Sequence, residues 1–158
     1  MPGTKAARGP STDTHIHRNP MTQQDELTFN KRVLDEEYNL GTFEVTAEMI
    51  RDFHDGTGAG SDGGAEAPAL IATLFAKFEG PEDLDLAFEG FDYMAGQYIE
   101  PGSAVRAGDV LSCVARVKSV YKKTGRSGPM AFVVREHTFT NQRGETVARV
   151  GMSTVRRK

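Results

Sequence analysis

Cysteine is almost absent: there is one, Cys113, in 158 residues. That excludes a disulfide framework within the chain and any zinc site built on cysteines. No apolar run approaches the roughly 20 residues a membrane-spanning helix requires, so no membrane partner is expected. Basic residues do not outnumber acidic ones; 19 Lys and Arg against 22 Asp and Glu leave a net charge of −3, which argues against a nucleic-acid-binding surface. Histidine is sparse at four, and the pair His15 and His17 lacks a third ligand, so no metal site and no cofactor are expected. What is present is ordinary for one domain. The length and a hydrophobic fraction of 38% suit a single core that stands without staples, in a soluble protein of the cytoplasm.

Residues 1–24 read as a disordered tail. They hold Pro2, Pro10 and Pro20, show no apolar periodicity, and cannot bury enough surface to order themselves. They have neither a signal-peptide core nor an Arg-rich amphipathic pattern, and Met21 is a candidate natural start. Residues 25–158 read as one domain. Thr46 is a good helix N-cap with Glu48 in the first turn, and Met49, Ile50 and Phe53 form one apolar stripe over 47–55. Gly56 and Gly58 stop that helix, and a Gly-rich loop follows. Residues 68–78 open on Pro68 and are apolar almost all round, the pattern of a helix buried in a core. After Gly90 the texture becomes strand-like. Strands are expected at 91–99, 110–121, 130–140 and 146–156, the last three joined by turns at 124–129 and 141–144. In 110–121 the residues Leu111, Cys113, Ala115, Val117 and Tyr121 are assigned to one face. The expected architecture is α+β, a long antiparallel sheet wrapped around a central apolar helix.

Several local patterns point to chemistry. Gly58-Ala59-Gly60-Ser61-Asp62-Gly63 has the spacing of a dinucleotide fingerprint, but a capped helix rather than a strand precedes it, so it reads as a connector. Lys122, Lys123 and Arg126 surround the Gly125–Gly128 turn, either as a solvated hairpin tip or as a phosphate cradle. His54 near a helix end, with Asp62 and Glu66 beyond it, supplies the acid/base candidates. His137, in mid-strand, reads as a satisfied sheet histidine, and Cys113 as inert packing.

The order of these elements, with Val45-Thr46-Ala47-Glu48-Met49-Ile50, then Val105-Arg106-Ala107-Gly108-Asp109-Val110-Leu111, Tyr121 through Gly128, and Asn141-Gln142-Arg143-Gly144-Glu145, resembles the MaoC-like dehydratases. More narrowly it is similar to their FAS1-like dehydratase domain, over roughly residues 27–156. The resemblance implies a hot-dog fold and reversible addition of water to an α,β-unsaturated acyl thioester, with coenzyme A as the thiol of the substrate. Such a reaction needs a base for water, an acid for the α-carbon and donors at the thioester oxygen.

Active members of the family carry Asp-x-Asn-Pro-x-His shortly after the first helix. Here the aspartate position falls on Ala59 and the histidine position on Gly64, and neither moves a proton. The expectation is therefore a non-catalytic subunit that binds acyl-CoA beside a second hot-dog subunit carrying the complete motif, as a dimer or tetramer. Pro68, Ile71 and Phe75 are the expected walls for the acyl chain, and Lys122, Lys123, Arg126 and Gly128 the expected contacts to the coenzyme. Two alternatives stay open: a homodimeric acyl-CoA-binding or regulatory module, and a thioesterase or hydratase that uses His54, Asp62 or Glu66.

Overall fold

The computed structural model describes residues 27–34, 36–58, 66–77, 81 and 83–158. The tail, together with Ala59, Asp62, Gly64 and Phe78, lies outside the described residues. The chain runs through strand β1 (Glu37–Glu44), helix α1 (Ala47–Thr57), the short β2 (Glu66–Ala67), a 3-10 segment (Ala69–Phe75), β3 (Phe91–Pro101), β4 (Val105–Arg106), β5 (Val110–Gly125), β6 (Gly128–Thr140) and β7 (Thr146–Arg157). Five strands form one antiparallel sheet in the order β1-β5-β6-β7-β3, and β2 pairs with β4 apart from it. The expected three-strand meander is β5-β6-β7.

Helix α1 begins as its sequence dictates. Thr46 is extended, its Oγ1 accepts the Met49 N–H at 3.1 Å, and Gly58 closes the helix in the left-handed region at φ 69°. Its Ile50 enters a core with Val45, Ile71, Ala72 and the sheet residues Leu111, Cys113, Phe139, Ala148, Val150 and Met152. A second apolar cluster, at the other end of the sheet, joins Val33 and Leu84 to Val117 and Val133. A third feature holds β3 to β7. The Tyr98 ring packs on Gly151, where any Cβ would sit 1.8 Å from Tyr98 Cε1, so only glycine seats it there.

Two expectations need correction. The segment expected as a helix over 68–78 is 3-10 from Ala69 to Phe75, with Ala69, Ile71 and Ala72 buried. Leu70 and Leu74 instead face outward at 45% and 59% exposure, so within this chain the segment buries one face only. Tyr121 does not share a face with Leu111, Cys113, Ala115 and Val117. A bulge between Val117 and Ser119 adds one residue to β5, and the alternation flips beyond it. Val120 thereby joins the second cluster, while Tyr121 stacks on Phe132 at 5.1 Å.

Candidate functional site

The region of the acid/base candidates is where α1 ends and β2 meets β4. His54 Nε2 lies 3.1 Å from the Glu66 carbonyl oxygen and donates to it, which leaves Nδ1 as a buried acceptor with no partner among the described residues. His54 therefore ties α1 to β2. The Glu66 carboxylate accepts from Arg106 Nε at 2.8 Å, an exposed ion pair that locks β2 to β4. The structure brings His54 and Glu66 together through a backbone oxygen, not as a proton-relaying pair.

His137 sits inside the sheet with no exposed surface. Its Nε2 is 3.0 Å from the Lys77 carbonyl and its Nδ1 is 3.4 Å from the Val150 carbonyl. Burial holds its pKa below the ordinary histidine value, against the pull of the two carbonyls. A neutral ring donates to only one of them, and Lys77 is the closer. The depressed pKa has a thermodynamic consequence. The unfolded chain takes up this proton near pH 6.5 while the folded chain does not, so stability is full above about 6.5 and declines as pH falls, by up to about 1.4 kcal/mol per unit. Urea unfolding at about pH 7.5 and pH 5.5 should show this decline in the native chain and a shallower one in His137→Gln. Equal slopes would assign the decline elsewhere. Cys113 is equally inert: burial pushes its thiol up to about 11.

The basic turn is a tight β5–β6 hairpin, with Gly125 paired to Gly128 and Gly128 at φ 101°. Strand alternation puts Lys122 and Lys123 on opposite faces. Lys123 Nζ lies over the Tyr121 and Phe132 rings, 5.3 and 5.7 Å from their centroids. From Cys113, in the core with Ile71, to Arg126 the strand runs roughly 40 Å at ~3.3 Å per residue. The three cations thus do not converge, and they stand far from Pro68, Ile71 and Phe75. Phe75 stacks on Phe43 at 4.9 Å, and Ile71 has no exposed surface. Among the described residues no cluster of three metal-ligating side chains occurs.

Charged side chains concentrate elsewhere. On the outer sheet face Glu136, 5% exposed, accepts from Arg116 Nη2 (2.7 Å), Lys118 Nζ (2.9 Å) and Tyr98 Oη (3.2 Å). Burial would raise its carboxyl, but these donors outweigh burial and hold it below the usual value. It lines a cavity of about 360 Å³ with Glu37, Arg116, Thr138, Thr140 and Arg149. Sequence reasoning also passed over Arg135, a 7%-exposed cation on the inner face. The signal was available: Ala131, Val133, Arg135, His137 and Phe139 share one strand parity, so a cation stood at a core position.

Residues 89–150 match the family model described as the FAS1-like dehydratase domain region. Solved structures agree on the fold. The MaoC-like dehydratase from Rhodospirillum rubrum is 20% identical, covers 78% of this chain and 92% of its own, and superposes at a TM-score of 0.53. The C-terminally truncated HadBC (3R-hydroxyacyl-ACP dehydratase) complex from Mycobacterium tuberculosis is 21% identical over 76% of this chain and 94% of its own, at 0.56. The ChsH1-ChsH2 complex from the same organism is 14% identical over 80% and 87%, at 0.59. No curated protein matches the sequence. The chain has the hot-dog fold of these dehydratases, and its residues 89–150 are similar to the FAS1-like dehydratase domain region.

Proposed function

We propose that this chain is the non-catalytic, acyl-thioester-binding subunit of a heteromeric (R)-specific enoyl-CoA hydratase or 3-hydroxyacyl dehydratase of the cytoplasm. The observation that carries this reading is the uncovered edge strand. Every residue of β3 except Ile99 is exposed, Phe91 at 75% and Tyr93, Met94 and Tyr98 near half. Leu70 and Leu74 add to this apolar surface. A long edge with free backbone groups and aromatic side chains is a template for another sheet. Two of the structural relatives are themselves complexes, HadBC and ChsH1-ChsH2. In the assembly the partner's Asp and His add water across the double bond, hydroxyl to the β-carbon and proton to the α-carbon. This chain contributes the wall of the acyl pocket. Because Ile71 is sealed in the core, that role falls to Leu70 and Leu74 on the exposed face of the same segment.

The test is activity before and after assembly. The purified chain alone should not hydrate crotonyl-CoA, since positions 59 and 64 are Ala and Gly. Co-expressed with a hot-dog protein that carries Asp-x-Asn-Pro-x-His, it should form a heteromer by mass measurement, and that heteromer should turn substrate over. Turnover by the lone chain, lost in His54→Ala, would overturn the proposal in favour of an enzyme with unusual acid/base residues. A stable homodimer that binds acyl-CoA and ignores the second protein would replace it with a binding module.

A further inference from the structure

Arg135 is a buried cation with no ion-pair partner among the described residues. It lies in the inward register of β6, opposite Val117 of β5 and Met152 of β7, both sealed in the core. A guanidinium keeps its charge in proteins, and burying it costs several kcal/mol unless an anion and hydrogen bonds compensate. Among the described residues Arg135 makes one hydrogen bond, from Nη1 to the neutral Thr154 Oγ1 at 3.1 Å, and its buried Nε has no acceptor. The acid whose charge reaches it, Asp92, is held by Arg156 through bonds of 2.9 and 2.8 Å. On the other side the Tyr38 hydroxyl is close enough to feel Arg135, yet it is buried without a hydrogen bond of good geometry.

Arg135 also lines a cavity of about 270 Å³, together with Thr154, Asp92, Tyr93 and Met94. That is just below the range of pockets for drug-sized ligands, so it suits a smaller molecule. One end presents a guanidinium and a threonine hydroxyl. Met94, in register with Thr154, adds a thioether on the same face.

We infer that this cavity binds a short monocarboxylate, its carboxylate on the Arg135 guanidinium and the Thr154 hydroxyl and its apolar tail against Met94. A planar guanidinium matches the two oxygens of a carboxylate bidentately. Asp92, the cavity's other charged wall, already has its carboxylate held by Arg156 and leaves Arg135 to the ligand. Both occupants, the carboxylate and the tail, satisfy what the chain leaves unsatisfied. The site stands apart from the thioester chemistry proposed above and is read on the lone chain.

The test is isothermal titration of the purified full chain with hexanoate at about pH 7.5, with hexan-1-ol as the uncharged comparison. Hexanoate should bind saturably and at least tenfold tighter than the alcohol. Arg135→Met should remove that preference while keeping or raising Tm, because an apolar side chain replaces an uncompensated buried charge. Met94→Trp, which narrows the cavity and leaves the charge in place, should also weaken hexanoate, and it serves if Arg135→Met does not fold. Equal binding of acid and alcohol, no saturable binding, or undiminished hexanoate affinity in the variants would each overturn the inference. So would Arg135→Met weakening assembly with a partner subunit while hexanoate has no effect on the native chain. That outcome would assign the missing anion to a partner's carboxylate.

Discussion

Asp109→Ala should destabilise the folded chain by about 3–5 kcal/mol, a third or more of the stability of an ordinary domain. Asp109 is 2% exposed, and its carboxylate accepts from the Arg106 amide (2.8 Å), Arg143 Nη1 (2.8 Å) and Gln142 Nε2 (3.1 Å). Its own carbonyl accepts the Val45 N–H at 2.8 Å. One side chain thus fastens the β4–β5 turn to the β6–β7 turn. Alanine would leave three donors without their acceptor. Burial works against the charged form here, but the hydrogen bonds prevail and hold the carboxyl below its ordinary range. A carboxyl depressed in this way stabilises at neutral pH, and that contribution is lost as pH falls through its folded value. Asp109→Asn keeps the shape and one acceptor and should cost roughly half as much at neutral pH. Urea unfolding of both variants at about pH 7.5 measures this. A loss below about 1 kcal/mol in Asp109→Ala would show that the two turns hold without their shared carboxylate.

That fastener shows what the family-like residues do. The runs 105–111 and 141–145 carried much of the resemblance in the sequence, and in the structure they bind one another. Asn141 Oδ1 accepts the Arg143 and Glu145 amides, and Glu145 accepts Asn141 Nδ2 and Arg143 Nε. They are structural: they fasten the two turns to one another, and the resemblance they carry is therefore one of fold.

The meander and the capped helix were legible because both rest on short-range physics, namely period-two alternation, turn residues and a threonine cap. The face of Tyr121 was not. A bulge is one unpaired residue, and nothing in Val117-Lys118-Ser119 marks which residue the neighbouring strand will skip. The 68–78 segment misled for a different reason. An apolar run records that both faces are to be buried, but not whether one chain or two will bury them. Leu70 and Leu74 are left exposed by this chain. Of the candidate site residues, Lys122 and Lys123 are adjacent in sequence and on opposite sides of the sheet, which strand geometry alone implies.

Placing charge on the uncovered apolar surface should weaken assembly strongly while leaving the lone chain nearly untouched. Phe91 and Leu74, 75% and 59% exposed, contribute little to the folded chain, so Phe91→Lys with Leu74→Lys should shift its urea midpoint only slightly. At an interface the same residues become buried anchors, and truncating such an anchor typically costs 1–2 kcal/mol or more. Two lysines would additionally be desolvated there without a partner. Together these effects should weaken the heteromer by about 100-fold or more, each 1.4 kcal/mol being a factor of ten. Hydration of crotonyl-CoA should fall in proportion to the complex that remains and recover at high subunit concentration, with kcat per assembled complex little changed. Sedimentation of the double variant with its partner, run beside the activity titration, separates this from a direct effect on chemistry. Normal assembly with lost activity would put Leu74 in the acyl pocket but not in the contact between subunits. Normal assembly with normal activity would remove β3 and the 69–75 segment from the interface altogether, and the edge strand would then need another explanation for its aromatic residues.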